Sequence, residues 1–310
     1  MLIICKLSIN TDPLIYPAGC DIIDQTKNEV NGMYDLTNTL FVSDLDGTLL
    51  RRDGTLSRFS LETINRLLES GMKISFATAR SLYTATLAIG EIDSSIPLIL
   101  HNGSFIRKKS GEYLAKTIFT ESESGKIRDI LERHGVEPLV YSIHENNEIY
   151  RYDPDRITPE EKKFIDSHPG DPRKFPSLHE KLFEDIGSVF YVISIGSESE
   201  LRPLLPELAD FTVMFQKDVY TKDQWIEILP KDSGKAQAIK KLAKTLRCEK
   251  IVVFGDAEND LSNFEIADES YAMANAVDAV KKAATAVIGS NEEDSVAKFL
   301  LKAFEESAQG

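Results

Sequence analysis

The stretch Phe41-Val42-Ser43-Asp44-Leu45-Asp46-Gly47-Thr48-Leu49-Leu50 decides the reading of this chain. A short apolar run ends in two carboxylates two residues apart, and a Gly-Thr turn follows. Side chains alternate along a strand, so Asp44 and Asp46 share a face only if the strand continues. Gly47 breaks it. Both acids are left at the strand's carboxyl end, where open α/β sheets bind ligands. One carboxylate there can attack an electrophile while the other handles protons. Two adjacent acids also repel, so the pair calls for a cation. The Asp-Gly dipeptide alone reads as an ordinary turn. The whole Asp-x-Asp-Gly-Thr-Leu run after an apolar strand is far more specific.

Outward from this stretch the pattern is strand, helix, strand, helix. Ser57 is placed to cap a helix whose Leu61, Ile64, Leu67 and Leu68 follow helical spacing until Gly71. Lys73 to Ala77 reads as a strand, Leu82 to Ile89 as a helix, and Pro97 to Leu100 as a further strand. Such alternation marks a parallel sheet with crossover helices. It stops near His101-Asn102-Gly103, and Ser110-Gly111 then reads as a hairpin turn. Residues 119–216 change texture. A charged helix from Ser124, strand-like pieces at 149–152, 189–195 and 211–215, and a polar stretch 153–176 suggest an inserted α+β domain. The parallel pattern resumes with a helix over Ala236 to Leu246, a strand Ile251 to Phe254, a helix from about Asn259, a strand near Tyr271 and a last helix ending around Phe304.

This divides the chain into core 39–118, insert 119–216 and core 217–310. Residues 1–38 show no sustained period. They read as an extension, or as a start assigned too early with the working chain beginning at Met33; a small ordered element is the alternative.

Length and composition bound the possibilities. A chain of 310 residues suits two domains or one large one, and 42% apolar residues allow a proper core. The net charge of -14 argues against a nucleic-acid partner, which needs a basic footprint. Three scattered cysteines and five histidines without ligand-pair spacing exclude a disulfide framework or zinc site, so a reducing cytoplasm is expected. No apolar run approaches the length needed to span a bilayer, so no membrane partner is expected.

A second acidic cluster, Gly255-Asp256-Ala257-Glu258-Asn259-Asp260, also follows an apolar strand. Asp256 is therefore expected at the same sheet edge as Asp44, where a hard cation such as Mg²⁺ takes oxygen ligands. By itself this cluster reads equally well as a loop capping the next helix through Asp260 or Asn259. Thr78 ends the second strand, where a hydroxyl and free N–H groups suit a phosphate oxygen; a threonine N-cap fits as well. Lys235 opens a helix, against the dipole, which a nearby anion explains. A solvated lysine is the plainer reading. Arg80 reads as a structural ion pair, His101 as a packed or surface residue, and Trp225 as core near the return from the insert.

In this order the motifs Asp-x-Asp-Gly-Thr, Thr78, Lys235 and Gly-Asp-x-x-Asn-Asp resemble those of the haloacid dehalogenase-like superfamily. The likeness is greatest to its Cof-type phosphatases, which carry a class IIB cap. Asn102-Gly103, Ala272 to Ala276 and Asn291 to Val296 extend it. The resemblance implies a Rossmann-like parallel core with an inserted α+β cap. By position it implies Asp44 as nucleophile and Asp46 as general acid, then base. Thr78 and Lys235 would bind the transferring phosphoryl group. Mg²⁺ would be held by the Asp44 carboxylate, the Asp46 carbonyl and Asp256, with Asp260 supporting the site from behind.

Asn102, Gly103 and Asn259 are placed near substrate by the same likeness. Ala79, Ala236, Ala274 and Ser295 stand where the branch commonly carries Gly, each adding a Cβ where backbone approaches closely. The implied activity is a Mg²⁺-dependent phosphatase acting through an aspartyl-phosphate. Its partner would be a small phosphorylated metabolite, a sugar phosphate or nucleotide-like monoester, and the protein a monomer or weak homodimer. A phosphohexomutase and a silent phosphometabolite-binding protein are the alternatives.

Overall fold

The apolar run before Asp44 forms β1 (Thr39–Ser43), buried at every residue. A strand covered on both faces belongs in the middle of a parallel sheet. The computed structural model describes residues 34–93, 95–145, 147–217, 221–231 and 233–308. After β1 come α1 (Arg58–Glu69), β2 (Lys73–Ala77), α2 (Leu82–Ile89) and β3 (Pro97–Leu100). The hairpin of β4 (Phe105–Lys108) and β5 (Tyr113–Lys116) follows. The Ser57 hydroxyl accepts from Ser60 N at 2.9 Å, a cap of about 1 kcal/mol, and Ile64 and Leu67 turn inward.

The chain then builds α3 (Glu121–His134), β6 (Leu139–His144), β7 (Asn147–Tyr152), α4 (Pro159–Asp166) and β8 (Lys174–Pro176). Next are β9 (Val189–Gly196), α5 (Glu198–Leu201), β10 (Thr212–Lys217) and β11 (Gln224–Leu229). It returns through α6 (Lys235–Leu246), β12 (Lys250–Gly255), α7 (Leu261–Ile266), β13 (Glu269–Met273), α8 (Asp278–Ala283), β14 (Ala286–Ile288) and α9 (Ser295–Ser307).

Two sheets result. The first runs β14-β13-β12-β1-β2-β3-β4-β5, parallel from β14 to β3. Chain order reverses between β1 and β12, so a crevice for ligand opens at their carboxyl ends. The second sheet runs β10-β11-β9-β6-β7-β8. Val140, Val192 and Ile226 pack with α3 residues Ile127 and Ile130 on one of its faces. Alternation and register therefore turn Tyr141, Tyr191 and Glu227 to the opposite face.

Several expectations change. The boundary at 216 falls inside a hairpin, because β11 pairs antiparallel with β10 and completes the second sheet. Trp225 lies in that strand, half-buried, with its ring edge-on to Phe164 at 5.2 Å. The polar stretch 153–176 contains α4, capped reciprocally by Thr158 and Glu161 with Pro159 in its first turn. That start signal is local, but the helix buries too few apolar residues to show a clear period. Tyr34 packs edge-on against Phe41 at 5.4 Å and donates to Glu269 at 2.7 Å, so the core begins before residue 39. Residues 1–33 of the expected extension, with the Met33 start, lie outside the described residues. Among those residues no helix is long and apolar enough to cross a membrane.

Candidate active site

Asp44 and Asp256 each stand one residue beyond a buried strand, β1 and β12. Register places Ser43 opposite Phe254, and Asp44 N donates to Phe254 O at 3.0 Å. The short turn after β12 brings Asp260 back underneath. Its Oδ2 accepts from the backbone N–H groups of Asp256 and Ala257, and its Oδ1 from Asn263. Carboxylate oxygens of Asp44, Asp256 and Asp260 all lie within 4.8 Å of one another. Asp260 is thus a support of the loop and a member of the cluster at once.

Lys235 is not solvated. Only 4% exposed, it donates from Nζ to Asp44 Oδ1 at 2.6 Å and to Asp260 Oδ1 at 3.0 Å. Burial works against its ammonium, but the Asp260 and Asp44 charges outweigh that and push its pKa up. Burial pushes the Asp44 carboxyl well above the usual range, Lys235 opposing and Asp260 and Asp256 adding to the rise. Asp256 is raised to about 6, first by burial, with Thr48 opposing through its hydrogen bond and Asp260 repelling.

Three carboxylates share one ammonium, which leaves a surplus of acidic groups in the pocket. At an effective dielectric of about 20, each carboxylate pair at this spacing repels by about 3 kcal/mol. An all-oxygen donor set with this surplus fits a hard divalent cation.

The loop after β1 is held from several sides. Thr48 Oγ1 donates to Asp256 Oδ1 at 2.8 Å, Asn275 Nδ2 to Gly47 O at 2.7 Å, and Asn291 Nδ2 to Leu50 O at 2.9 Å. The motif residues near 275 and 291 therefore brace this loop. Gly47 has φ +78°, and a Cβ there would stand 2.3 Å from Asp256 Oδ2. Gly47→Ala is expected to displace that carboxylate and weaken divalent-cation affinity by about 10- to 100-fold. Calorimetric titration of the cation measures this, and unchanged affinity contradicts the placement.

Asp46 points to solvent, where the Arg80 guanidinium grips it through Nε at 2.8 Å and Nη2 at 2.6 Å. The expected Arg80 ion pair is therefore with the second acid of the motif. Thr78 does not cap α2; Ser81 does, accepting from Thr84 N at 3.1 Å. The Thr78 hydroxyl is buried and accepts from Arg80 N at 3.1 Å, with no acceptor for its own proton among the described residues.

Asn102 and Gly103 both lie at the junction of the two sheets. Asn102 Nδ2 donates to Glu227 Oε2 at 2.9 Å, so the amide faces the second sheet. Gly103, at φ +103°, packs against the Gly234 carbonyl, where a Cβ would come within 2.3 Å. It is a close contact between two loops. Asn259 Oδ1 is buried one residue before Asp260 with no partner among the described residues. His101 is packed, as expected, with Nε2 3.0 Å from Glu148. Of the positions with a Cβ in place of Gly, Ala79 and Ala274 are exposed and Ala236 and Ser295 buried; none displaces a carboxylate of the cluster.

Sequence reasoning missed Thr48, Asn263, Tyr191 and Glu227 as parts of this neighbourhood. Glu227 had one signal, a lone charge inside the apolar strand Trp225-Ile226-Glu227-Ile228-Leu229.

The family model for haloacid dehalogenase-like hydrolases matches residues 41–300. A 5-amino-6-(5-phospho-D-ribitylamino)uracil phosphatase, YitU of Bacillus subtilis (strain 168), is 28% identical over 86% of this chain and 97% of its own length. The pyridoxal phosphate phosphatase YbhA of Escherichia coli (strain K12) is 26% identical over 86% and 98%. The crystal structure of TM0651 from Thermotoga maritima superposes with a TM-score of 0.70 at 24% identity, covering 85% of this chain and 96% of that one.

Proposed function

Since this chain belongs to the haloacid dehalogenase-like hydrolases, we propose that it is a Mg²⁺-dependent phosphatase of small phosphorylated metabolites. One observation carries the reading: a trio of carboxylates at two strand ends, Asp44 and Asp260 buried and Asp256 half-buried, with Lys235 Nζ 2.6 Å from Asp44 Oδ1. Lys235 fixes the rotation of the Asp44 carboxylate and supplies positive charge beside it. Phosphoryl transfer depends chiefly on such positioning and charge neutralisation.

Asp44 attacks phosphorus, forming a carboxylate–phosphorus bond as the bond to the leaving oxygen breaks. Asp46 hands its proton to the departing alkoxide. It then takes a proton from water as that water attacks the aspartyl-phosphate, freeing phosphate and restoring Asp44. Arg80 orients Asp46 at the mouth of the site, and the Thr78 hydroxyl is placed to donate to a phosphoryl oxygen. Mg²⁺, held by Asp44, the Asp46 carbonyl and Asp256, supplies charge neutralisation to the phosphoryl oxygens when bound.

The two relatives carry different substrates in their names, a ribitylaminouracil phosphate and pyridoxal phosphate. Both are compact monoesters of phosphate, and that class is the one proposed. The test is hydrolysis of p-nitrophenyl phosphate with Mg²⁺, followed by a panel of phosphorylated metabolites. Turnover is expected to vanish with chelator and return with added Mg²⁺. Turnover indifferent to the chelator, or none across the panel, overturns the reading.

A further inference from the structure

Glu227 is a carboxylate with 4% of its surface exposed, on the face of the second sheet turned away from the α3 helix. No cation lies within ion-pairing distance of it among the described residues. Three neutral donors hold it instead: Asn102 Nδ2 at 2.9 Å, Gln216 Nε2 at 3.0 Å and the Tyr191 hydroxyl. A buried carboxylate held only by neutral groups is costly, so its place asks for a reason.

The reason lies in what Asn102 touches. It belongs to the tight turn His101–Gly103, with φ +51° at Asn102 itself, an unusual conformation for a residue with a side chain. Its backbone N donates to Thr78 O at 3.0 Å, and His101 N donates to Arg80 O at 3.0 Å. Gly103 abuts the Gly234 carbonyl and Lys235 N, where a Cβ would stand at 2.3 and 3.0 Å. One turn of three residues therefore rests on the backbones of Thr78, Arg80 and Lys235. The Asn102 amide ties that turn to the second sheet.

We infer that Glu227 is a positioning residue: through Asn102 it sets the placement of Thr78 and Lys235, linking the insert to the phosphoryl pocket. This rests on the phosphatase reading for what Thr78 and Lys235 bind. The link is mechanical, since small misplacements of binding groups are enough to slow a positioned reaction severely. Glu227 itself is not a member of the acid cluster.

Glu227→Leu fills much of the same space without an oxygen, so it removes the carboxylate that holds Asn102. With p-nitrophenyl phosphate at saturating Mg²⁺, kcat is expected to fall about 10-fold and inhibition by orthovanadate to weaken similarly, with the Mg²⁺ activation constant unchanged. Asn102→Ala is expected to match it, and the double variant to be no worse than either single. Wild-type kinetics in both singles with only a lowered Tm overturns the inference, as do losses that multiply. If Glu227→Leu does not fold, Asn102→Ala decides alone, and its retention of wild-type kinetics overturns the link. A wild-type protein that neither hydrolyses phosphate esters nor binds vanadate sinks the phosphatase reading instead. Amide exchange then decides the link: Asn102 N–H exchange about 10-fold faster in Glu227→Leu supports it, and an unchanged rate overturns it.

Discussion

Asp44→Asn is expected to lower phosphate-ester turnover by at least about 10⁴-fold while leaving the protein folded. The amide has no anionic oxygen to attack phosphorus, so no aspartyl-phosphate forms. Its shape is nearly unchanged, and its carbonyl still accepts from Lys235 Nζ, which approaches Asp44 Oδ1 at 2.6 Å. The variant also removes one negative charge from a trio whose members lie within 4.8 Å. Burial already disfavours the ionised Asp44, so stability without divalent cation is expected to hold or rise. Activity and thermal unfolding should thus move apart. Turnover within about 10-fold of wild type, measured on protein free of contaminating phosphatase, removes Asp44 from the role of nucleophile.

Lys235→Met is expected to hurt both properties. Removing one partner from a buried ion pair leaves charge uncompensated and costs about 3–5 kcal/mol. Here two carboxylates lose their partner together, because Nζ reaches Asp44 and Asp260 alike. Turnover should fall by about 10²–10³-fold, the usual scale for losing one preorganised group beside developing charge. Cation and anion should respond in opposite senses. With the ammonium gone, the pocket is more negative, so divalent cation binds more tightly while vanadate binds more weakly. Isothermal titration of each ligand measures both signs. Equal weakening of the two identifies general damage to the fold and contradicts the assigned charge balance.

How much of this was legible in the chain follows from the range of each signal. Asp44 and Asp256 could be read because each directly follows a short apolar strand, a pattern complete within ten residues. Lys235 was open between a solvated lysine and one facing an anion, because a cation at a helix start is only locally unfavourable; its burial against Asp44 and Asp260 decides it. Thr78 stayed ambiguous between phosphate ligand and helix cap, since the choice depends on whether Ser81 takes the cap, as it does. Asn102 was placed near substrate by likeness, yet its amide is engaged by Glu227, 125 residues away in sequence. Pairing at such separation leaves no periodic trace. The limit of the insert was misjudged for a related reason. β10 and β11 form a hairpin across a polar connection, and nothing local tells on which sheet β11 lies.

The chain leaves the first sheet after Lys116 and re-enters it through the loop following Leu229. Everything between contributes no member of the acid trio. Exchange of that whole segment between related genes therefore spares the acid trio. Such a cassette must keep its buried partners across the crossing: an acceptor for the Asn102 amide, and a carboxylate beside His101 and Arg107 such as Glu148 supplies. Recombination at these two crossings should be tolerated where those partners are kept.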